Sequence, residues 1–133
     1  MSNSVRVSAT FSFRGELLQP EMRLDLDLAL EQGMTPDSLY ALLATENGID
    51  HYSYEYEMLE AEPLVFDNPE GLAKEYTKNG RLDWKGLENA WKETRLLDRL
   101  SHIARQHMDI ETLEDIPGLK KTLLAVYALT KAT

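Results

Sequence analysis

Two stretches near the N-terminus alternate strictly between apolar and polar residues, and this pattern constrains the fold more than any other feature of the sequence. The first covers residues 4–14 and the second residues 21–30. A period of two residues is typical of strands, and the Gly15–Pro20 connection is typical of a hairpin. We therefore predict an antiparallel hairpin whose paired residue numbers sum to 35, which sets Arg14 opposite Glu21. A sum of 37 would instead oppose two like charges.

Three further segments carry recognisable signals. Residues 51–58 alternate again and predict a third strand with its tyrosines on the buried side. Thr35–Pro36 and Asn47–Gly48 have the residue types that start and end a short helix. Residues 68–70 and Asn79–Gly80 resemble those start and stop signals, so they predict a second short helix.

A long helix is predicted over about residues 83–108, which contain no proline. Trp84, Leu87 and Trp91 form one apolar stripe on a helical wheel. A second stripe on nearly the opposite side contains Leu96, Leu97, Leu100, Ile103 and Ala104. We expect a continuous helix buried on two sides; a break near residues 93–95 is the alternative.

A last helix is predicted to begin near residues 115–117. Its apolar residues at helical spacing are Leu119, Leu123, Val126 and Tyr127. Strands followed by about four or five helices are typical of an α+β fold with an N-terminal antiparallel sheet. We predict a single α+β domain over residues 1–133.

The composition excludes several classes of function. The 133 residues include no cysteine, so disulfides, thiolate catalysis and cysteine-ligated zinc sites are excluded. The net charge is −9, and residues 1–70 hold 14 acidic but only three basic side chains. Such a surface repels phosphates, so we expect no nucleic acid and no membrane as partner. No apolar run approaches the roughly 20 residues that span a bilayer, and the N-terminus lacks a signal pattern, so we expect a cytoplasmic protein.

The predicted strands carry the best candidates for a catalytic or metal site. Asp25 and Asp27 share one strand face, and Glu55, Glu57 and His51 share another. If these faces aligned, their oxygen and nitrogen ligands would suit a divalent cation or an acid–base pair. The alternative is that both sets form the solvated face of a half-exposed sheet. We expect no metal and no cofactor.

Other catalytic patterns are missing from the sequence. His102 and His107 lie about 140° apart on a helix, which does not suit one metal ion. No nucleophile elbow and no phosphate-binding glycine pattern occurs. Catalytic residues therefore stay unassigned by the sequence.

Trp84, Leu87 and Trp91 give the strongest indication of a partner. Tryptophan is enriched in the energetically dominant positions of interfaces. We expect a non-enzymatic protein-interaction or accessory module that binds a protein, or a second copy of itself, through this ridge or through its acidic surface. A small metal-dependent enzyme or hydrolase that uses the carboxylates and His51 is the alternative. Packing of the ridge inside its own chain is the alternative for the tryptophans.

Overall fold

The computed structural model describes residues 2–132, including the side chains through residue 130. This part of the chain contains five α-helices and seven short strands, which confirms the predicted α+β class. It divides into two compact units, residues 1–88 and residues 89–133. We describe each unit by itself, and the assignment of a single domain stays a prediction.

The strands all belong to the N-terminal unit, and every pairing is antiparallel. They are β1 (Ser4–Ser8), β2 (Phe11–Phe13), β3 (Glu16–Leu18), β4 (Glu21–Asp25), β5 (Val65–Glu70), β6 (Thr77–Lys78) and β7 (Arg81–Leu82). The helices are α1 (Leu26–Glu31), α2 (Leu39–Glu46), α3 (Tyr54–Glu60), α4 (Trp84–His107) and α5 (Leu119–Ala132). The main sheet has the order β4-β1-β5.

The N-terminal hairpin is present, but its predicted register is wrong. Paired residue numbers sum to 29 along both β1–β4 and β2–β3. The reason is a two-residue turn at Arg14 and Gly15, whose φ angles are 53° and 78°. Two consecutive positive φ angles are typical of the turn type that matches the twist of a hairpin. The sequence prediction assigned the whole 15–20 segment to the connection, so it shifted the strands.

The second predicted strand, residues 21–30, is correct only as far as Asp25. The Asp25 carboxylate accepts a hydrogen bond from the backbone N–H of Leu28 and so caps α1. Leu26, Ala29 and Leu30 are buried at helical spacing, whereas Leu28 is 51% exposed. The alternation of leucines therefore ends in a helix.

The third predicted strand, residues 51–58, is wrong. Ser53 caps α3, because its hydroxyl accepts a hydrogen bond from the backbone N–H of Tyr56 at 3.2 Å. Glu55 and Glu57 lie in the first turn, where the helix dipole favours negative charge. Cap and dipole together outweigh the alternating pattern of tyrosines.

The second short helix, predicted from residues 68–70 to Asn79–Gly80, is also wrong. Residues 65–70 instead form β5, the third strand of the main sheet. A 3₁₀ helix follows at Gly71–Glu75. Asn79 and Gly80 both have positive φ and form the turn between β6 and β7. Asn-Gly serves in tight hairpins as well as at helix ends, and the hairpin is formed here.

Two helix predictions are confirmed in their position along the chain. A 3₁₀ turn at Pro36–Ser38 leads into α2, and Thr35 and Ser38 cap it reciprocally. Gly48 follows the helix with a φ of 68°, a left-handed stop. The long helix α4 is continuous from Trp84 to His107, so the alternative of a break is excluded. Its predicted burial on two sides is wrong for the second stripe, where Ala104 is buried but Ile103 is 52% exposed. The three leucines of that stripe are half-buried.

The C-terminal unit consists of α4 from residue 89 onward, a 3₁₀ turn at Leu113–Asp115, and α5. Thr112 and Asp115 cap the 3₁₀ turn reciprocally. In residues 2–132, no helix combines the length and the apolar character that crossing a membrane requires.

Candidate functional site

The two aspartates that we proposed as site residues have structural partners. Asp25 is the cap of α1. Asp27 accepts hydrogen bonds from the backbone N–H of Asn3 at 3.0 Å and from its side-chain amide at 2.8 Å. The Asn3 side-chain oxygen in turn accepts from the backbone N–H of Leu72 at 2.6 Å. Asp27 therefore helps to fix the N-terminal segment against the 3₁₀ helix at Gly71–Glu75.

The other three candidates do not lie on a sheet face, because their segment is a turn followed by α3. His51 lies with its Nε2 3.0 Å from the Thr45 hydroxyl, and its ring stacks on Tyr56 with centroids 5.1 Å apart. Glu55 and Glu57 belong to the first turn of α3. Among residues 2–132, no three His, Asp or Glu side chains are grouped so that they could hold a metal ion.

The solvent face of the main sheet carries a charged network. The observed register sets Arg6 directly opposite Arg23, an arrangement of like charges that is unfavourable by itself. Asp67 on β5 compensates, because both of its oxygens accept hydrogen bonds from the Arg6 guanidinium at 2.6 Å. Glu21 and Glu70 add ion pairs at 3.1 Å to Arg6 and 3.5 Å to Arg23.

The network changes the acidity of Asp67. The hydrogen bonds and positive charge of Arg6, with a smaller effect from Arg23, lower the pKa of the Asp67 carboxyl below its ordinary value. The same contacts raise the pKa of Arg6. The fixed bidentate geometry aligns β5 with β1, so this network has a structural role in the sheet.

The predicted tryptophan ridge is largely covered. Leu87 is fully buried, Trp91 is 9% exposed, and Trp84 is half-buried. The Trp84 indole Nε1 is covered and has no acceptor among the described residues. Arg95 lies over the Trp91 ring at 4.7 Å. Binding of a partner through this ridge stays a prediction, and in the structure only Trp84 offers accessible surface to one.

The acidic surface is concentrated in one part of the N-terminal unit. Residues 24–73 contain 12 carboxylates and no lysine or arginine. Within the described chain, the carboxylates of residues 31–62 form no ion pair. Burial, together with Asp37, Glu60 and Glu62, raises the pKa of Tyr40. The same region exposes Tyr52 at 99% and Tyr54 at 77%.

The C-terminal unit buries few apolar side chains. Of the 20 buried apolar residues in the described part of the chain, 17 belong to residues 1–88. Only three lie in residues 89–130, and these are Trp91, Ala104 and Leu113. Large apolar side chains of this unit are instead exposed, namely Ile103, Met108, Val126, Tyr127 and Leu129.

Helix α5 contributes most to this exposed apolar surface. Its 14 residues contain three lysines and no acidic side chain, and none of residues 122–130 is charged. Four residues at spacings of three and four form what we call the outer stripe: Thr122, Ala125, Val126 and Leu129. All four are exposed, Val126 by 53% and Leu129 by 70%. A helix that is apolar on all sides is typically buried on all sides, and this one is not.

An apolar groove lies between α4 and α5. Its volume is about 300 Å³, and it is lined by Asn89, Lys92, Glu93, Leu96, Leu124, Tyr127 and Ala128. That volume is at the lower limit of small-molecule pockets. The groove borders the side of α5 that faces α4, so it is distinct from the outer stripe.

Part of the exposed apolar surface of α5 was predicted from the sequence. Val126 and Tyr127 were placed in the last helix, but they were interpreted as belonging to a single apolar side. A helical wheel over Leu119–Leu129 would have shown a second apolar side at Ala125 and Leu129, so a signal for it was present in the sequence.

No protein-family model matches this chain, and comparisons with curated proteins and with solved structures give no match either.

Proposed function

We propose that this chain is a non-enzymatic protein-interaction module whose docking surface is the outer stripe of α5. The observation that supports the proposal is the exposure of Val126 and Leu129 on a helix with no charged residue between 122 and 130. Large exposed apolar patches with polar surroundings are typical of protein–protein contact sites. A location in the cytoplasm stays part of the proposal and rests on composition alone.

The spacing of the stripe indicates the kind of partner. Residues at positions i, i+3, i+4 and i+7 lie along one side of a helix over two turns. This is the pattern through which one helix packs along another, with small side chains allowing close approach. The proposal therefore expects a helical partner.

The enzyme alternative has less support. Asp25 and Asp27 are engaged in a helix cap and in the Asn3 network, and His51 is engaged with Thr45 and Tyr56. A site for a divalent cation would raise the melting temperature by mass action when the ion is added. We expect no shift with Mg²⁺, Mn²⁺ or Ca²⁺, and a shift that Glu55→Gln removes would revive the alternative.

The acidic surface is a second candidate for docking. The observation that favours it is the run of 50 residues without lysine or arginine, together with the exposed Tyr52 and Tyr54. A partner for this surface would be rich in lysine or arginine, and its binding would weaken as salt screens the charges. A titration with a lysine-rich peptide at low and high salt tests this candidate.

The double variant V126E/L129E tests the main proposal. If the outer stripe is free for docking, glutamates there remain in water. The free energy of unfolding, measured by denaturant at about 2 µM protein, then stays within about 0.5 kcal/mol of the original chain. Binding of an apolar fluorescent dye should fall at the same time.

Lys121→Glu is the matched control, because it changes the net charge by the same amount on the same helix. A loss of more than about 2 kcal/mol in V126E/L129E alone would contradict the proposal, since it would place the stripe in a buried environment. Unchanged dye binding would also count against it.

A further inference from the structure

The small hairpin of β6 and β7 places two positive charges directly opposite each other. Lys78 and Arg81 pair across the two strands, and the Asn79–Gly80 turn joins them. Both lie on the exposed side of the hairpin, whereas Thr77 and Leu82 are half-buried. The Cβ atoms of directly opposed residues are about 5 Å apart, so like charges in this arrangement repel each other.

No carboxylate of the described chain forms an ion pair with either of these cations. The nearest acidic residue on the α4 side is Asp83, which accepts a hydrogen bond from the backbone N–H of Gly86 at 3.0 Å. Residues 74–85 hold four basic and two acidic side chains, although the whole chain carries a charge of −9. Salt screens exposed charges that are more than about 10 Å away, so an anion at the turn interacts mainly with this local positive charge.

The main sheet of the same chain shows how such a pair is compensated. Arg6 and Arg23 are also directly opposite each other, and carboxylates of β5 bind both of them. Asp67 accepts two hydrogen bonds of 2.6 Å from Arg6, and Glu70 lies 3.5 Å from Arg23. These two carboxylates belong to one segment and are three residues apart. The cations of the β6–β7 hairpin have the same cross-strand arrangement, but no such acidic segment is paired with them.

We propose that Lys78 and Arg81 form a docking site for an acidic segment of a partner protein, with two carboxylates about three residues apart. The planar guanidinium of Arg81 binds one carboxylate through two hydrogen bonds, and the ammonium of Lys78 binds the other. Binding also removes the repulsion between the two cations. The outer stripe is not involved, so this inference goes beyond the proposed function and is tested independently of it.

Contacts with β5 hold the turn that presents the two cations. The backbone N–H of Phe66 donates a hydrogen bond of 2.9 Å to the carbonyl oxygen of Gly80. The Val65 side chain lies against the same turn, because a Cβ added at Gly80 would be 3.4 Å from its Cγ1. Val65 is also 40% exposed, so it offers apolar surface to a bound segment. A turn that is already ordered lowers the entropic cost of binding.

A peptide titration followed by nuclear magnetic resonance tests the proposal. The probe is the blocked peptide Ser-Ser-Asp-Ser-Ser-Glu-Ser-Ser, and the same peptide with Asn and Gln is its uncharged control. We expect the amide signals of residues 77–82 to shift most, with a dissociation constant of about 1 mM at an ionic strength of about 20 mM. At about 300 mM the affinity should fall several-fold. Equal shifts with the uncharged peptide would overturn the proposal.

The double variant Lys78→Gln/Arg81→Gln tests the two side chains. The affinity for the acidic peptide should fall about tenfold, because both charged contacts are lost. Lys120→Gln/Lys121→Gln is the matched control, since it removes the same number of positive charges from α5. This control should bind the peptide like the original chain. An equal loss in both double variants would overturn the site, because it would assign the binding to the total charge of the chain.

Lys78→Glu adds a measurement that needs no ligand. A glutamate opposite Arg81 replaces repulsion by attraction, so the melting temperature should rise by about 1–4 °C. The same variant should lose binding of the acidic peptide, because its own carboxylate occupies Arg81. A lower melting temperature, or peptide binding that persists, would overturn the proposal.

Inorganic phosphate at the same ionic strength distinguishes a carboxylate ligand from a phosphate ligand. We expect the acidic peptide to bind more tightly than phosphate, because its two carboxylates reach both cations at once. Tighter binding of phosphate at residues 77–82 would overturn the acidic segment as the occupant of this site.

Discussion

Single residues hold the N-terminal segment in place, and Gly71 is the most constrained of them. Its φ is 73°, a region that favours glycine. A Cβ at this position would meet the side-chain oxygen of Asn3 and would lie 2.7 Å from the backbone oxygen of Ser2. Asn3 is also the residue that binds Asp27 and the backbone N–H of Leu72. A side chain at residue 71 therefore disturbs both the backbone and this network.

Gly71→Ala should lower the free energy of unfolding by about 2 kcal/mol or more, because left-handed strain adds to a steric clash. Gly48→Ala is the matched control. Gly48 has a similar φ of 68°, but a Cβ added there would meet nothing within 4 Å, so only the strain of about 1 kcal/mol applies. Denaturant unfolding of both variants measures the difference. Equal losses of unfolding free energy in the two variants would show that the clash with Asn3 does not contribute to the destabilisation.

Asp67→Asn should lower the free energy of unfolding at neutral pH, and it should make that free energy depend less on pH in the acidic range. The pKa of Asp67 is lowered by Arg6 in the folded chain, so the ionised carboxylate stabilises the fold above its ordinary pKa of about 4. That contribution is lost as the pH falls through the lowered value. The difference in the free energy of unfolding between the two chains should therefore be largest at pH 7 and should shrink steadily as the pH falls below about 4.

Glu70→Gln is the control on the same strand, since its longer ion pair to Arg23 should contribute less. An Asp67→Asn variant that is as stable as the original chain at pH 7 would contradict the role of the charged network.

At the scale of elements, helix caps determine the secondary structure of segments in which the apolar pattern predicts the wrong one. The alternation of residues 51–58 is as regular as that of β1, yet the segment forms α3 because Ser53 caps it. The periodicity of a short segment shows only which side chains are apolar. A capping residue adds a preference for a helix, and the periodicity does not contain that information.

The predictions of the hairpin register and of the third strand were wrong for a different reason, which is that both depend on contacts between distant parts of the sequence. Arg6 is paired with Asp67 and Arg23 with Glu70. Both carboxylates lie on β5, which is distant in sequence, so like charges opposite each other are acceptable only after β5 is in place. By contrast, α2 and α4 could be predicted, because their signals are local and agree with one another.

Ser53→Ala should lower the free energy of unfolding by about 1 kcal/mol, because the cap on the backbone N–H of Tyr56 is lost. Ser53→Asp keeps an oxygen acceptor at the same place and should restore most of the loss. Far-ultraviolet circular dichroism combined with denaturant unfolding measures both variants. Equal destabilisation by alanine and aspartate would contradict the cap.

At the scale of the whole molecule, charge is distributed unevenly between the units. Residues 1–88 hold 17 acidic and seven basic side chains, whereas the C-terminal unit is nearly neutral. Which apolar surface stays exposed could not be predicted from the sequence, because exposure of Val126 and burial of Leu87 depend on packing that periodicity alone does not give.

Salt therefore distinguishes the two candidate surfaces. Raising the ionic strength from about 20 to about 300 mM should leave the binding of an apolar fluorescent dye to the outer stripe nearly unchanged, because residues 122–130 carry no charge to screen. The same change should weaken binding of a lysine-rich peptide to the acidic surface. Titrations of the dye and of the peptide at both salt concentrations measure the two effects, and dye binding that weakens with salt would count against the apolar stripe.

A titration with an apolar dye, followed by nuclear magnetic resonance, shows which surface of the folded chain is free to dock an apolar partner. Backbone amide signals of the original chain at about 50 µM are compared with and without the dye, a concentration at which weak binding of micromolar affinity is detected. We predict dye-dependent shifts confined to residues 122–129, with Thr122, Ala125, Val126 and Leu129 changing most. Shifts centred on residues 84–91 or 50–62, or no shifts at all, would contradict the account.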